Sequence, residues 1–276
     1  MTPTPRQSTR DGQEDRITLP RTDCVADFAG GLTFEIADPG ESGPAHLVLF
    51  LRDSDRTVRL PLTPAGDGRL RAALPSSADL PEGRWDAYLQ VADGEPSRLT
   101  PGVNDLRSLV DRAPSATADR ISARIPYGTK HGNLTVRSWE RSPHAEAGEL
   151  LIGDGRLEAS VRTYGAEPTS DAYAEFTDPA GPAPAVRADV SPDDRGGLRL
   201  TVAYGDLRPG DWELWLRPRG ESGPRVRIAR LLDDVVDKHP VFVYPRTRVE
   251  TERGPAEAEP YYTGDNDLSV RVVAVS

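Results

Sequence analysis

The sequence predicts an all-β protein made of two tandem, homologous β-sandwich domains. Three observations lead there. First, the chain repeats itself. Residues 80–89 read LPEGRWDAYL and residues 207–216 read LRPGDWELWL, 127 positions apart. Residues 127–137 read YGTKHGNLTVR and residues 261–271 read YYTGDNDLSVR, 134 positions apart. A drifting offset is what loop-length changes between two copies of one small domain produce, and the period is far too long for a solenoid. Second, hydrophobicity alternates with period two, as half-buried strands require. Third, 25 glycines and 26 prolines punctuate short apolar segments, and long apolar helical faces are missing.

The elements follow in order. Residues 1–16 are polar and charged, with no apolar run, and are expected to be a disordered tail rather than a secretory signal. Residues 17–142 are expected to form the first domain. Its strands are LTFEI (32–36), HLVLFL (46–51), RLRAAL (69–74) and GRWDAYLQV (83–91). In the last of these, Trp85, Ala87, Leu89 and Val91 share one face, and Asp86, Tyr88 and Gln90 the other. A short helix or a helical turn is expected over 104–112. A hairpin follows, from ISARIPY (121–127) through GTKHG into NLTVRSW (133–139). Residues 140–148 (ERSPHAEAG) read as a polar join. Residues 143–276 repeat the pattern with LEASV (157–161), AYAEF (172–176), LRLTV (198–202) and GDWELWL (210–216). There Trp212, Leu214 and Leu216 face one way, and Glu213 and Trp215 the other. A second short helix or helical turn is expected over 228–237. A closing hairpin is expected from 241–249 to 268–275, its last strand apolar on both faces.

Charge and chemistry narrow the function. A net charge of −10 gives no basic face for a nucleic-acid backbone and no attraction to anionic lipid. No stretch reaches membrane-spanning length, so a cytoplasmic protein is expected, without membrane insertion. The single cysteine, Cys24, excludes an intrachain disulfide and reads as a buried thiol. Catalytic and metal-binding motifs are missing, so no catalytic, cofactor or metal residue is assigned. The four histidines (His46, His131, His144, His239) are scattered. His144 and Glu146 have the spacing of a base and its orienter, but a hinge contact explains them more simply. Asp265, Asn266 and Asp267 superficially suggest a calcium loop, yet read better as turn residues.

The aromatics carry the remaining signal. Tyr88 and Trp215 point away from the expected cores, and Tyr127, Tyr244, Tyr261 and Tyr262 gather in the hairpin regions. Packing between the domains explains such residues first, a protein interface second and stacking on sugar rings third.

The duplicated corner, a Leu, then a turn with Pro and Gly, then an aromatic opening a strand, resembles the corner before the penultimate strand of Ig-like and fibronectin-like sandwiches. GNLTVR and LRPGDWELWL, duplicated in this order, resemble tandem β-sandwich regions associated with actinomycete glycosyltransferases and CDP-glycerol glycerophosphotransferase-like cell-envelope enzymes. That resemblance implies a non-catalytic scaffold acting with a transferase partner, or through self-association. The candidate interface or ligand residues are then Tyr88, Trp215, Tyr127, Tyr261 and Tyr262. A carbohydrate-binding module is the alternative, and an enzyme of unfamiliar type the third reading.

Overall fold

The computed structural model describes residues 19–110, 112–115, 118–181 and 184–275. The tail expected over 1–16 lies outside the described residues. The chain forms β1 (Arg21–Ala26), β2 (Leu32–Ala37), β3 (Ala45–Leu51), β4 (Thr57–Pro61), β5 (Thr63–Pro64), β6 (Arg69–Leu74), β7 (Gly83–Val91), β8 (Ser97–Arg98) and β9 (Thr100–Asp105). The hairpin β10 (Ile121–Gly128) and β11 (Leu134–Arg141) follows. The second half runs β12 (His144–Gly153), β13 (Arg156–Tyr164), β14 (Tyr173–Thr177), β15 (Val186–Pro192), β16 (Leu198–Ala203), β17 (Gly210–Arg217), β18 (Val226–Ala229), β19 (Thr247–Thr251), β20 (Gly254–Tyr262) and β21 (Leu268–Ala274).

The first half is a two-sheet sandwich. One sheet has the order β5-β6-β2-β1-β9, the other β10-β11-β7-β3-β4, with β8 also on β7. The chain changes sheets at the buried Leu99. Before it, β8 pairs antiparallel with β7; after it, β9 pairs parallel with β1. This is the immunoglobulin-like arrangement, with a hairpin added beside the penultimate strand. The second half repeats it. β12 pairs parallel with β18, β17 lies between β14 and β18, and the hairpin β20–β21 adds to β17 as β10–β11 adds to β7. Here β15 bridges β14 and β16, so seven strands close into a ring.

The two tryptophan corners match closely. Trp85 and Trp212 are each 1% exposed. Each indole Nε1 donates to a carbonyl four residues back, Pro81 at 3.0 Å and Arg208 at 2.8 Å. Gly83 and Gly210 both hold φ at 155°, which L side chains rarely adopt. A Cβ on Gly83 would stand 2.4 Å from Leu51 Cδ1. Each Trp thus enters its core through a turn that needs glycine.

The short helix or helical turn expected over 104–112 is one 3-10 turn, Arg107–Leu109, because residues 100–105 are committed to pairing with β1. Three other expectations are corrected. The segment 228–237 is not helical. Its amides are taken by side chains instead: Glu146 accepts from Leu231 N and Leu232 N, and Asp233 from Val235 N. Lys238, fully buried just beyond, ties the same loop through Asp233 Oδ1 at 2.7 Å. The partner of the final strand is 254–262, not 241–249, since β20 supplies the alternating apolar face (Ala256, Ala258, Tyr262). The polar join is mostly strand: β11 ends at Arg141 and β12 begins at His144, so two residues separate them.

The halves share a buried seam. Hairpin β10–β11 is buried on both faces. Leu134 and Val136 sit on one face of β11, Trp139 and Arg137 on the other, and all four are buried. Tyr164, Ala229, Leu231 and Leu232 of the second half belong to the first half's apolar cluster. Arg137 Nη2 donates to Asp265 Oδ1 at 2.7 Å, and Arg141 Nη1 to Asp267 Oδ1 at 2.6 Å.

Candidate interaction surface

The surface starts from the turn that closes each hairpin. In the first half Thr129 N donates to Asn133 O, Gly132 N to Thr129 O, and Asn133 N to Thr129 Oγ1. In the second half Thr263 N donates to Asp267 O, Asn266 N to Thr263 O, and Asp267 N to Thr263 Oγ1. The bonds correspond one for one, and Gly132 and Asn266 both take positive φ, 75° and 62°. Asn tolerates that conformation, so one turn geometry is written in two sequences.

The chemistry of the two turns is opposite. In the second, Asp265 and Asp267 receive the guanidinium groups of Arg137 and Arg141 across the seam. In the first, the matched positions hold His131 and Asn133, with Lys130 beside them, and Lys130 and His131 are exposed. These residues rim an open groove of about 580 Å³, lined also by Arg52, Asp86, Arg98, Tyr127 and Thr129.

Asp86 organises the groove floor. It lies 2.8 Å from Arg52 Nη2 and 2.7 Å from Arg98 Nη2, and accepts from Thr135 Oγ1 at 2.8 Å. Burial pushes its pKa up, but hydrogen bonds from Arg52, Thr135 and Arg98 outweigh it and hold the carboxyl below 3.8. A depressed folded pKa means stability present above about pH 4 and lost as pH falls through the folded value. Asp86→Asn is expected to cost about 1–3 kcal/mol at neutral pH, since two guanidinium groups lose their carboxylate. Its stability should also fall less between pH 5 and pH 2 than that of the parent, as urea midpoints would show.

The sequence-selected aromatics separate into distinct roles. Tyr88 is half-buried, with Arg98 4.8 Å from its ring centroid and Phe50 edge-on at 5.1 Å. Trp215 carries Arg225 and Arg227 at 4.1 and 5.2 Å. Arg98 and Arg227 stand opposite these rings on the neighbouring strand, so both halves use one cation–π pairing. Tyr127 lines the groove. Tyr261 is half-buried beneath Arg271 at 4.6 Å, and its hydroxyl donates to Asp211. Tyr262 is not a surface residue. It is fully buried against Phe242 and Tyr244 in the second core, because Tyr262 and Tyr261 point to opposite faces of β20.

His144 is likewise no linker residue. It is fully buried, and its Nε2 lies 2.7 Å from Glu146 Oε2. Glu146 spends its remaining capacity on the amides of Leu231 and Leu232, so the pair pins the seam. Cys24 is buried and its thiol is pushed up to about 12, chiefly by desolvation. The sequence reading missed Lys130 and Arg98. The alignment of TKHGN with TGDND already held the change of charge, but its meaning needed the seam.

No family model matches the chain, and no curated protein matches it. Among solved structures it is similar to S. aureus TarS at 16% identity and TM-score 0.29, over 68% of this chain and 56% of that one. The chain therefore spans little more than half the length of that relative. It is also similar to an Anoxybacillus pullulanase complexed with maltotriose (11% identity, 71% and 24% coverage, TM-score 0.24). A marsupial T cell receptor matches over 93% of this chain and 92% of its own, at 10% identity and TM-score 0.29. Among the described residues no helix is long and apolar enough to cross a membrane.

Proposed function

We propose that the protein is a non-catalytic assembly module that docks a partner protein through the turn groove of its first sandwich. One observation carries this reading. The same turn is used twice, once occupied inside the molecule by two arginines and once without such a partner among the described residues, carrying Lys130 where the other copy carries two acids. The occupied copy supports a mode of docking by its intramolecular contacts, in which charged side chains on a hairpin meet the turn beside a buried apolar seam. The first copy, with Lys130 and His131, asks for carboxylates in place of arginines. Reversing the sign also disfavours end-to-end stacking of the chain, because Arg271 occupies the second hairpin at the position of Arg137. The partner class that the duplicated sequence phrases suggest is a cell-envelope transferase.

Carbohydrate binding fits the rings less well. A sugar stacking on Tyr88 or Trp215 must displace a guanidinium already over the ring. The test is site-specific photo-crosslinking in the source cells. A crosslinker at His131 is expected to give a discrete protein adduct, lost when Lys130→Glu is added, and one at the exposed Arg253 none. A monodisperse monomer with no adduct at either position would overturn the reading.

A further inference from the structure

A second pocket, of about 310 Å³, lies where the loop between β6 and β7 meets the start of β10. It is lined by Ser76, Ser77, Arg112, Ser122 and Arg124, among others. We propose that it binds the oxyanion group, phosphate or carboxylate, of a small polar ligand. This goes beyond the docking reading and uses other residues.

The argument begins with Arg124. It is 2% exposed, among the most buried charged residues described. Its two terminal nitrogens donate to the carbonyls of Pro75 and Ala78, and its buried Nε has no hydrogen-bond partner. Arg112, beside it, donates to the carbonyls of Ser122 and Ala29. Neither guanidinium has an ion-pair carboxylate among the described residues. Of the two acids lining the pocket, Asp79 is paired with Arg56 at 3.2 Å, and Glu140 is paired with Arg120, also of the lining, at 2.9 Å. A buried cation held only by carbonyls is costly, and an anion is what compensates it. Burial lowers the pKa of Arg124 and Arg112 adds to that, while Glu140 and Asp79 oppose it from a distance without forming an ion pair. Planar guanidinium forks beside serine hydroxyls are donors suited to a phosphate or carboxylate oxygen.

The second half shows what this corner looks like without such a site. By hairpin register Arg124 corresponds to Ala258 and Ser122 to Ala256. The corner before β17 carries Tyr204 where the first half has its serine-bearing loop, and Tyr204 is fully buried. One copy has filled its corner with an aromatic ring. The other has kept an opening and placed two arginines in it. The volume is near the lower end for small-ligand sites and suits a compact ligand.

The probe is inorganic phosphate titrated into the full chain, against sodium chloride at matched ionic strength, followed by amide chemical shifts. One saturating set of shifts at residues 76–79 and 120–124 is expected. Arg112→Gln should weaken it about tenfold, the loss of one charge-assisted contact. Ser77→Asp, at an exposed position that straps nothing, should abolish it while leaving the thermal midpoint near that of the parent. Arg253→Gln should change nothing. Parallel titrations with phenyl phosphate and with acetate tell a phosphate ligand from a carboxylate one, and saturation by either supports the site. Shifts that never saturate with any of the three, or that saturate equally in Ser77→Asp, would overturn it.

Discussion

Trp212→Ala and Trp85→Ala are each expected to destabilise the chain by about 3–5 kcal/mol, and by nearly the same amount. Each indole is 1% exposed, and each donates its Nε1 proton to the carbonyl four residues earlier. Truncation therefore removes a large apolar group and leaves that carbonyl unpaired in both cores. A loss of this size is a large share of the stability of an ordinary domain, so both variants should unfold well below the parent's temperature. Urea midpoints should fall with unchanged slope. If one substitution costs under about 1 kcal/mol while the other unfolds the chain, the corners are not equivalent plugs, and the duplicated architecture loses its main support.

The second large effect is expected at Glu146. Its side chain is 14% exposed and takes His144 Nε2 at 2.7 Å and the amides of Leu231 and Leu232 at 3.0 Å. Glu146→Ala strands three polar groups at the seam, and a cost of about 3 kcal/mol or more follows. Glu146→Gln keeps one acceptor oxygen in place and should recover part of the loss. The effect is directional: amide exchange should rise first at residues 228–236 and in β10–β11, before the strands around Trp212. Uniform exchange across both halves would instead mean that Glu146 acts on global stability and does not pin the seam.

The parts of this architecture legible in the sequence are those where local pattern and burial agree. Trp85, Ala87 and Leu89 alternate with Asp86 and Tyr88, and the structure buries the first set and half-exposes the second. The parts that were not legible are those where tertiary contacts override local pattern. Residues 228–237 carry helical spacing, yet Glu146, far away in sequence, takes the amides that a helix would use. Tyr262 and Tyr261 are neighbours in the chain, and only the register of β20 against β21 decides which of them is inside. In the candidate surface, Tyr88 and Tyr127 could be picked out as aromatic. Their neighbours Arg52, Arg98 and Lys130 could not, because the residues come together from the turn after β3, from β8 and from a hairpin turn. Arg124 was hidden for a related reason: a strand buried on both faces leaves no alternation to read.

That two-sided burial has a practical consequence for anyone who wishes to take the protein apart. A fragment stopped after Arg141 would wet Trp139, strip Arg137 of Asp265 and leave Arg141 only Glu82, while a fragment begun at His144 would bare Tyr164, Leu231 and Leu232. Each piece would carry a fresh sticky flank, and mixing them should restore the whole by complementation. The sequence repeats twice, but the smallest piece worth expressing is the pair.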